Sequence, residues 1–500
     1  MKRNWVCLLL LFIGLCSGRL VGAERPVNIV FFLCDDLGYG DVGCYGQEKI
    51  HTPNVDRLAT EGMKFTNHYS GSPVCAPSRC ALMTGYHTGH TFIRENRQYN
   101  PKDPDSGQWP IPADTVTLPK LLHTLGYVSG GYGKWGLGGM DTTGNPLKQG
   151  FDHFYGYNSQ GIAHNYYPTY LWDDDRRVTL RNKAFSAHQK LPAGADPNDP
   201  KSYEPFIGTD YAPDLIGQKA LEFVRANKDK PFFLYYPTTV PHLALQVPAD
   251  SLKEYEGKFP EEPYTGDRDY LPNRTPRATY AAMVTRMDRD FGRVLSLLKE
   301  LDLESDTIVI FTSDNGPLDK KFGGTDTDFF NSAGGLRGAK GGVYEAGMRE
   351  PCIVRWPGRV KPASVSDRVT GFEDWLPTLL DLIGKPQLIP AGIDGISFAP
   401  TLLGKPQDSR PFLYRETPGY GGQQCVRVGN WKAVRQNLNP RPKQPLNPGP
   451  VELYDLGADP HESKDVAAEH PDIVAKLSKL LTEQHRASEV FPIRALDAHS

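Results

Sequence analysis

Apolar runs alternate with amphipathic helical patterns through most of the chain. The apolar runs lie at residues 27–33, 231–236 and 307–312, and the helical patterns lie at residues 52–63, 117–125, 212–226 and 284–298. Short buried strands that alternate with helices need crossover connections, which produce a parallel sheet covered by helices on both faces. The sequence therefore predicts an α/β fold, in which a large, mostly parallel sheet is sandwiched by helices.

The pattern changes after about Pro400. Two short strands are predicted at residues 425–435 and 451–456, with a Pro-rich stretch between them, and an amphipathic helix at Pro471–Glu483. We therefore expect a large catalytic domain over residues 24–400. A smaller C-terminal α+β subdomain, with a small antiparallel sheet and a helix, is expected over residues 401–500.

The N-terminus resembles a secretory signal peptide. Lys2 and Arg3 precede an apolar run at residues 6–15, and small residues at 21–23 offer a cleavage site. A membrane anchor would need about 20 apolar residues, and this run is shorter. We predict a signal peptide over residues 1–23, no stable membrane span, and export to a periplasmic, extracellular or lysosome-like compartment.

The charge balance of the chain does not favour nucleic acid or an anionic membrane as a partner. The chain has 56 Lys and Arg residues against 59 Asp and Glu residues, so its net charge is -3. No overall positive field favours nucleic acid or an anionic membrane surface. Any anion site must therefore be local.

The mature chain would keep six cysteines, too few for a disulfide framework in a protein of this length.

Two polar clusters follow predicted strands. Asp35 and Asp36 come after the first apolar run, and Asp314 and Asn315 come after the run at residues 307–312. Because ligands bind at the carboxyl ends of strands in open parallel sheets, these side chains are expected to converge. Their oxygens suit calcium or magnesium rather than a softer metal. Alternatively, either pair alone is an ordinary turn.

The segment Ser72-Pro-Val-Cys-Ala-Pro-Ser-Arg79, followed by Thr84-Gly85, contains Cys, Pro, Ser and Arg at fixed spacing. It resembles the Cys-X-Pro-Ser-Arg signature of the sulfatase family, within the alkaline-phosphatase-like superfamily. The resemblance implies that a maturation enzyme oxidises Cys75 to formylglycine, whose hydrated aldehyde supplies the attacking oxygen. The alternative is that Cys75 is a small buried residue without catalytic function.

The resemblance extends along nearly the whole mature chain and implies a set of site residues. Asp35, Asp36, Asp314 and Asn315, together with modified Cys75, correspond to the calcium ligands. Arg79 corresponds to the partner of formylglycine. The residues that correspond to the sulfate-binding and leaving-group positions are Lys134, His242 and Lys340.

One position departs from the family pattern. The family usually has the stretch Gly-Lys-Trp-His-Leu-Gly, in which the His helps to position or deprotonate the formylglycine diol. In this chain Gly136 stands at the position of that His. Three explanations are open. His164, His90 or His87 takes the place of the family His, a water molecule does so, or turnover of the sulfated intermediate is slow. His164 lies in a polar and aromatic segment that is typical of a binding loop, so it is also a candidate for substrate binding.

These features together predict the class of substrate. A sulfated carbohydrate or aryl sulfate is the expected substrate, with an exo-acting glycan sulfatase favoured because export points to an external substrate. Tyr166, Tyr167, Tyr170 and Trp172 either stack on sugar rings or form packed core. The alternatives are a phosphate-ester hydrolase of the same superfamily and a non-catalytic protein that binds sulfated glycans, the latter favoured only by Gly136.

Overall fold

The computed structural model describes residues 26–497, so the predicted signal peptide lies outside the described residues. One large sheet forms the centre of the protein. Its strands are β1 (Asn28–Asp35), β2 (Met63–Tyr69), β3 (Val128–Lys134), β4 (His153–Tyr157), β5 (Tyr170–Asp173), β6 (Arg176–Thr179), β7 (Phe232–Pro241), β8 (Thr307–Ser313), β9 (Arg349–Arg355), β10 (Ser364–Ser366) and β11 (Thr370–Gly371).

The strand order is β10-β2-β9-β8-β1-β7-β3-β4-β5-β6, and β11 pairs with β2. The five central strands from β8 to β4 run parallel. Antiparallel pairs appear beyond them, where β9 joins β8 to β2 and where β5 joins β4 to β6. The sheet is therefore mixed but mostly parallel, and the predicted fold class is confirmed.

The central strand β1 is buried on both faces, as its continuous apolar run predicts. Val30 and Phe32 point into one hydrophobic core, and Phe31 and Leu33 point into another on the opposite face. This alternation follows from the two-residue period of a strand. The sheet thus separates two cores, each of which needs a helical cover.

The helices supply that cover. They are α1 (Pro53–Glu61), α2 (Cys75–Thr84), α3 (Leu118–His123), α4 (Ala212–Asn227), α5 (Ala249–Leu252), α6 (Pro276–Glu300), α7 (Thr327–Phe330), α8 (Glu345–Met348), α9 (Trp375–Leu382), α10 (Ala399–Leu402), α11 (Pro471–Glu483) and α12 (Arg494–Asp497). The apolar sides of α1, α4 and α6 pack in one core, and those of α2, α3 and α9 pack in the other. Among residues 26–497, no helix is both long and apolar enough to cross a membrane.

A second sheet lies near the C-terminus, as predicted. Its antiparallel strands are β12 (Leu413–Thr417), β13 (Gln423–Val428), β14 (Trp431–Arg435) and β15 (Glu452–Asp455), in that order. Leu477 and Leu481 of α11 pack against one of its faces. The prediction of a single strand at residues 425–435 was wrong, because Gly429 takes a left-handed φ of 58° and the chain reverses there into a hairpin.

Strand β3 was not predicted, because its glycine-rich sequence lacks the apolar side chains of a strand. Glycine is required here by close contacts. A Cβ atom at Gly130 would lie 2.8 Å from the Phe223 ring, and one at Gly133 would lie 1.9 Å from the carbonyl oxygen of Pro237. Without Cβ atoms at these positions, β3 packs closely against α4 and β7, and it ends with Lys134 at the carboxyl edge of the sheet.

A buried charge cluster joins the two sheets. Both Nη atoms of Arg415, on β12, donate to the carboxylate of Glu373 at 3.0 and 2.8 Å, and Arg410 donates to it at 2.6 Å. All three side chains are buried. Burial raises the pKa of Glu373, but Arg415 and Arg410 outweigh that effect and lower it to about 2. The carboxylate is therefore charged in the folded protein.

Glu373→Gln is predicted to destabilise the protein, because it leaves the buried guanidinium of Arg415 without its anion and leaves Arg410 with Asp374 alone. The expected loss in the free energy of unfolding is about 3 kcal/mol at neutral pH. Because the folded pKa lies below the ordinary value of 4.5, this contribution is present above about pH 4.5 and is lost as the pH falls towards 2. Denaturant unfolding of both proteins between pH 3 and pH 7 measures this loss.

Glu222→Gln serves as the matched control. Glu222 pairs with Lys219 at 3.2 Å on the surface, where both side chains are more than 40% exposed. An exposed pair of this kind contributes less than about 1 kcal/mol. Equal stability losses in the two variants would contradict a structural role for the buried cluster.

Candidate active site

Four central strands deliver polar side chains to one edge of the sheet. Asp35 is the last residue of β1 and Lys134 is the last residue of β3. His242 follows β7 directly, and Asp314 follows β8 directly. The expected convergence of the two polar clusters is therefore observed. The first strand runs two residues further than its apolar run indicated, so Asp35 belongs to the strand itself.

The acidic group is fully enclosed. Asp35, Asp36, Asp314 and Asn315 are each at most 2% exposed. Asn315 donates from Nδ2 to Oδ1 of Asp36 at 2.7 Å, whereas its own Oδ1 is buried without a hydrogen-bond partner. A buried oxygen without a donor is costly unless a ligand meets it. Because the same amide contacts Asp36, this oxygen is available to a hard cation bound beside that carboxylate.

Three basic side chains face these carboxylates. Arg79 donates from Nε and Nη2 to Oδ2 of Asp314 at 2.9 and 2.7 Å, and it also donates to the backbone carbonyl of Lys134. Lys134 donates to Oδ2 of Asp35 at 2.6 Å. Lys340 lies 2.7 Å from Oδ1 of Asp36. Every buried charge at this edge thus has an opposite charge beside it.

Cys75 is the first residue of α2 and lies inside this cluster. Its Sγ is 3.5 Å from Oδ1 of Asp35, 3.6 Å from Nζ of Lys134 and 3.9 Å from Nδ2 of Asn96. The Oδ1 atom of Asn96 accepts from the backbone N–H of Ala76 at 2.9 Å, which fixes the amide at the helix start. Asn96 was not predicted as a site residue, because it belongs to none of the motifs that identified the others.

Burial, followed by the charge of Asp35, raises the pKa of the Cys75 thiol to about 12. An unmodified thiol in this pocket therefore stays protonated at neutral pH and is a poor nucleophile. None of the six cysteines in residues 26–497 forms a disulfide bond. The position of Cys75 therefore does not favour catalysis by a thiolate.

The pKa values of the three carboxylates are shifted in different directions. Burial raises the pKa of Asp314 to about 6 and also raises the pKa of Asp36. For Asp35, burial acts in the same direction, but Lys134 and the other neighbouring cations outweigh it and lower the pKa. A divalent ion among these oxygens would favour the ionised forms of Asp36 and Asp314. The donor set therefore fits calcium or magnesium.

His242 has a defined orientation. Its Nδ1 lies 2.6 Å from the carbonyl oxygen of Leu243, so Nδ1 carries the proton and donates it. Its Nε2 is 3.6 Å from Oδ2 of Asp36. Burial, with the charges of Lys340 and Lys134, lowers its pKa well below the ordinary value. His242 is therefore a neutral ring whose Nε2 faces the acidic group as an acceptor.

A side chain at position 136 would have to displace the amide of Gln160. Gly136 has a left-handed φ of 83°, and a Cβ atom there would lie 2.9 Å from Nε2 of Gln160. Gln160 is buried, and its Nε2 has no hydrogen-bond partner. The amide of Gln160 thus occupies the direction that a side chain at position 136 would take. Nothing in the sequence distinguished Gln160 beforehand.

The three histidines considered as replacements lie in different places. The His164 ring stacks on the His242 ring, with centroids 5.0 Å apart and planes 12° apart. His90 instead contacts Asp394 at 2.8 Å, and His87 contacts Gln484 at 3.2 Å. Among the described residues, only His164 of the three packs on a ring that borders the acidic group.

The aromatic segment is mostly core. Tyr166 and Tyr167 are at most 3% exposed, and Trp172 is 9% exposed. Of the two interpretations considered for these rings, packed core holds for all three. Tyr170 differs, because it is half-buried and lines a cavity of about 670 Å³ together with Phe185 and His188.

Comparisons with known proteins agree with this site. The family model described as Sulfatase matches residues 27–385. The model described as N-sulphoglucosamine sulphohydrolase, C-terminal, matches residues 339–487, which include the second sheet. The two matches together cover nearly the whole described chain.

Individual relatives align over comparable lengths. N-acetylgalactosamine-6-O-sulfatase of Bacteroides thetaiotaomicron is 30% identical, over 92% of this chain and 93% of its own length. Arylsulfatase A of Homo sapiens is 32% identical, over 94% and 89%. A structure from work on the metabolism of multiple glycosaminoglycans by Bacteroides thetaiotaomicron has a TM-score of 0.71 and 28% identity, over 92% of this chain and 99% of that one. The chain therefore belongs to the sulfatase family and is a sulfuric ester hydrolase.

Proposed function

We propose that the protein is an exported sulfatase that removes sulfate from carbohydrates, using formylglycine formed at Cys75 and a calcium ion. The observation that carries the proposal is the position of Cys75, at the start of α2 and between Asp35, Lys134 and Asn96. Buried side chains of both charges surround the residue that the family signature marks for oxidation. A formylglycine-generating maturation enzyme is the implied partner.

The proposed calcium ligands are Asp35, Asp36, Asp314 and Asn315, together with the modified residue 75. Their support is the enclosed oxygen donor set, and above all the unpartnered Oδ1 of Asn315. A calcium ion held there would act as a Lewis acid towards a bound sulfate group. His242 is the neighbouring nitrogen donor, and its Nδ1 is already used by Leu243.

Lys134, Arg79 and Lys340 are proposed to stabilise the anionic sulfate group. A sulfate ester places negative charge on oxygens that another oxygen must approach, so fixed positive charge lowers the barrier. Lys134 lies beside Cys75, and Arg79 holds the carboxylate of Asp314 in place. A formylglycine at position 75 would supply a hydrated aldehyde hydroxyl as the nucleophile.

The departing alcohol needs a proton. The two candidate donors are His242 and Lys340, which both lie beside Asp36. Because the Nδ1 proton of His242 is donated to Leu243, the neutral ring has no proton to give at Nε2. We therefore assign proton donation to the Lys340 ammonium and give His242 the role of an acceptor that orients the substrate.

The proposed substrate class follows from the relatives. Several are named N-acetylgalactosamine-6-sulfatases, at 29–32% identity, and others are named Arylsulfatase A and Steryl-sulfatase. A solved relative at 26% identity is in complex with a neocarrahexaose. N-acetylgalactosamine 6-sulfate is the first substrate to test, with an aryl sulfate as a general probe. A phosphate-ester hydrolase is disfavoured, since oxygens rather than several histidines form the proposed metal site.

Cys75→Ala is predicted to abolish sulfate release by at least roughly 10³-fold, because it removes the precursor of the nucleophile. Sulfate released from N-acetylgalactosamine 6-sulfate and from an aryl sulfate is measured by ion chromatography, and circular dichroism confirms folding. An aryl phosphate assayed in parallel tests the rival activity. Faster turnover of the phosphate would overturn the sulfatase assignment.

Cys80→Ala is the matched control, since Cys80 is a buried thiol on the same helix that contacts Thr91 rather than the charge cluster. This variant is expected to keep its activity. Sulfate release by Cys75→Ala at the rate of Cys80→Ala would refute the proposed nucleophile.

Asp314→Asn and Asn315→Ala are both predicted to lower calcium affinity by at least about 10-fold, because each removes an oxygen ligand or its charge. Isothermal titration calorimetry with calcium measures the affinity directly. Asn315→Ala leaves no buried charge unpaired, so it covers the case in which Asp314→Asn fails to fold. Asp319→Asn, at an exposed carboxylate in the same loop, is the control. Unchanged calcium affinity in Asn315→Ala would argue against the proposed site.

A further inference from the structure

Two hydrogen bonds connect the protein surface to His164, whose ring lies beside the active site. Oδ1 of Asp269 lies 2.6 Å from Nδ1 of His188, and Nε2 of His188 lies 2.9 Å from Nδ1 of His164. The His164 ring stacks on the His242 ring. The side chains of His188 and Asp269 are 40% and 50% exposed. His188 and Asp269 thus meet solvent, and His164 packs on a residue of the active site.

The contacts define where the protons lie. Burial raises the pKa of Asp269, but the hydrogen bond from His188 outweighs this effect and lowers it, so the carboxylate is ionised and only accepts. Nδ1 of His188 must therefore donate, and Nε2 of neutral His188 must accept. His164 then donates from Nδ1 and has no proton on Nε2. The arrangement is that of a base oriented by a second group and an anion.

The reaction itself supplies a proton. A sulfate monoester and water give the alcohol, the sulfate dianion and one proton, so each turnover releases a proton into a pocket that contains several cations. Burial, His242 and Lys134 lower the pKa of His164, which disfavours positive charge on that ring. A proton acceptor here works only if the charge can be moved elsewhere.

We propose that His164, His188 and Asp269 form a proton relay that takes up the proton released by sulfate-ester hydrolysis and places its charge at the protein surface. The proton binds to Nε2 of His164, and the Nδ1 proton of His164 moves to Nε2 of His188. The product is an imidazolium at His188 beside the Asp269 carboxylate. When sulfate leaves, water takes the proton from Nε2 of His164 and the shift reverses.

Local packing supports an oriented relay. Asp269 and Tyr270 both have left-handed φ angles, of 67° and 59°, which is an unusual pair for residues with side chains. Oδ1 of Asp269 also accepts from the backbone N–H of Tyr270, and the Tyr270 ring contacts the rings of His164 and His188. The charged or titratable groups around the relay are Tyr270, His242, Lys134 and Lys340.

The relay also accounts for Gly136, which offers no side chain that accepts a proton. The inference rests on the proposed chemistry at Cys75. His188 and Asp269 are positioning residues, since they act through His164.

His188→Ala is predicted to lower kcat by roughly 10²-fold, because the charge has no route out of the pocket, while KM stays within about twofold. Imidazole in the buffer is expected to restore at least a tenth of the lost rate. His188 is exposed and lines the cavity of about 670 Å³, which admits a molecule of this size. Sulfate release from an aryl sulfate with and without imidazole measures both effects.

His153→Ala is the matched control. His153 is also an exposed histidine near a carboxylate, with Nδ1 3.6 Å from Asp174, and it lies on β4 away from His164. This variant is expected to keep the wild-type kcat, and its rate is expected to stay the same when imidazole is added. Asp269→Asn tests the anion separately and is expected to lower kcat without a change in KM.

The outcomes separate the two proposals. The relay would be rejected if His188→Ala kept the wild-type kcat, or if imidazole did not restore the rate that this variant loses. The proposed function would still stand in that case, provided that the wild-type protein is active and Cys75→Ala is inactive. Absence of sulfate release from matured wild-type protein would instead reject the function itself.

Discussion

The structure depends on a set of buried charges that neutralise each other at the carboxyl edge of the sheet. Asp35, Asp314 and Arg79 are completely buried, and Lys134 is 1% exposed. An unpaired charge at such a depth would cost several kcal/mol. Each of these groups therefore needs a partner that comes from a different strand or helix, and only the parallel arrangement of β1, β3 and β8 brings them together.

Neutral hydrogen bonds to backbone carbonyls hold the loops around the site. The backbone N–H of Lys340 donates to Pro317 at 2.7 Å, and that of Gly341 donates to Pro73 at 2.8 Å, two residues before Cys75. Gln423, from the C-terminal sheet, donates to the carbonyl of Gly341 at 2.8 Å. The second sheet thus braces the loop that carries Lys340.

Much of this arrangement follows from sequence patterns. Apolar runs predicted the central strands, and the polar residues that end them predicted Asp35, Asp36, Asp314 and Asn315. These signals are local in sequence. The residues of a buried strand must be apolar, whereas the residues at its end can be polar. Strand β3 was not predicted because its glycines carry no such signal. The hairpin at Gly429 was not predicted because its turn, between Val428 and Trp431, is only two residues long.

The unpredicted parts of the site depend on contacts between distant segments. Asn96 reaches Cys75 from another loop, and Gln160 occupies the space beside Gly136. His188 and Asp269 meet across 81 residues of sequence. No spacing rule connects such pairs. The family signature identified the reacting residue, whereas the groups around it became apparent only in three dimensions.

The central claim is that residue 75 is a formylglycine in the active protein. Peptide mass spectrometry of matured, active material, across the segment that contains Cys75, tests it directly. The account predicts that the peptide has lost the thiol sulfur and gained an aldehyde oxygen, in proportion to the specific activity. A fully active preparation in which residue 75 is an intact cysteine would contradict it.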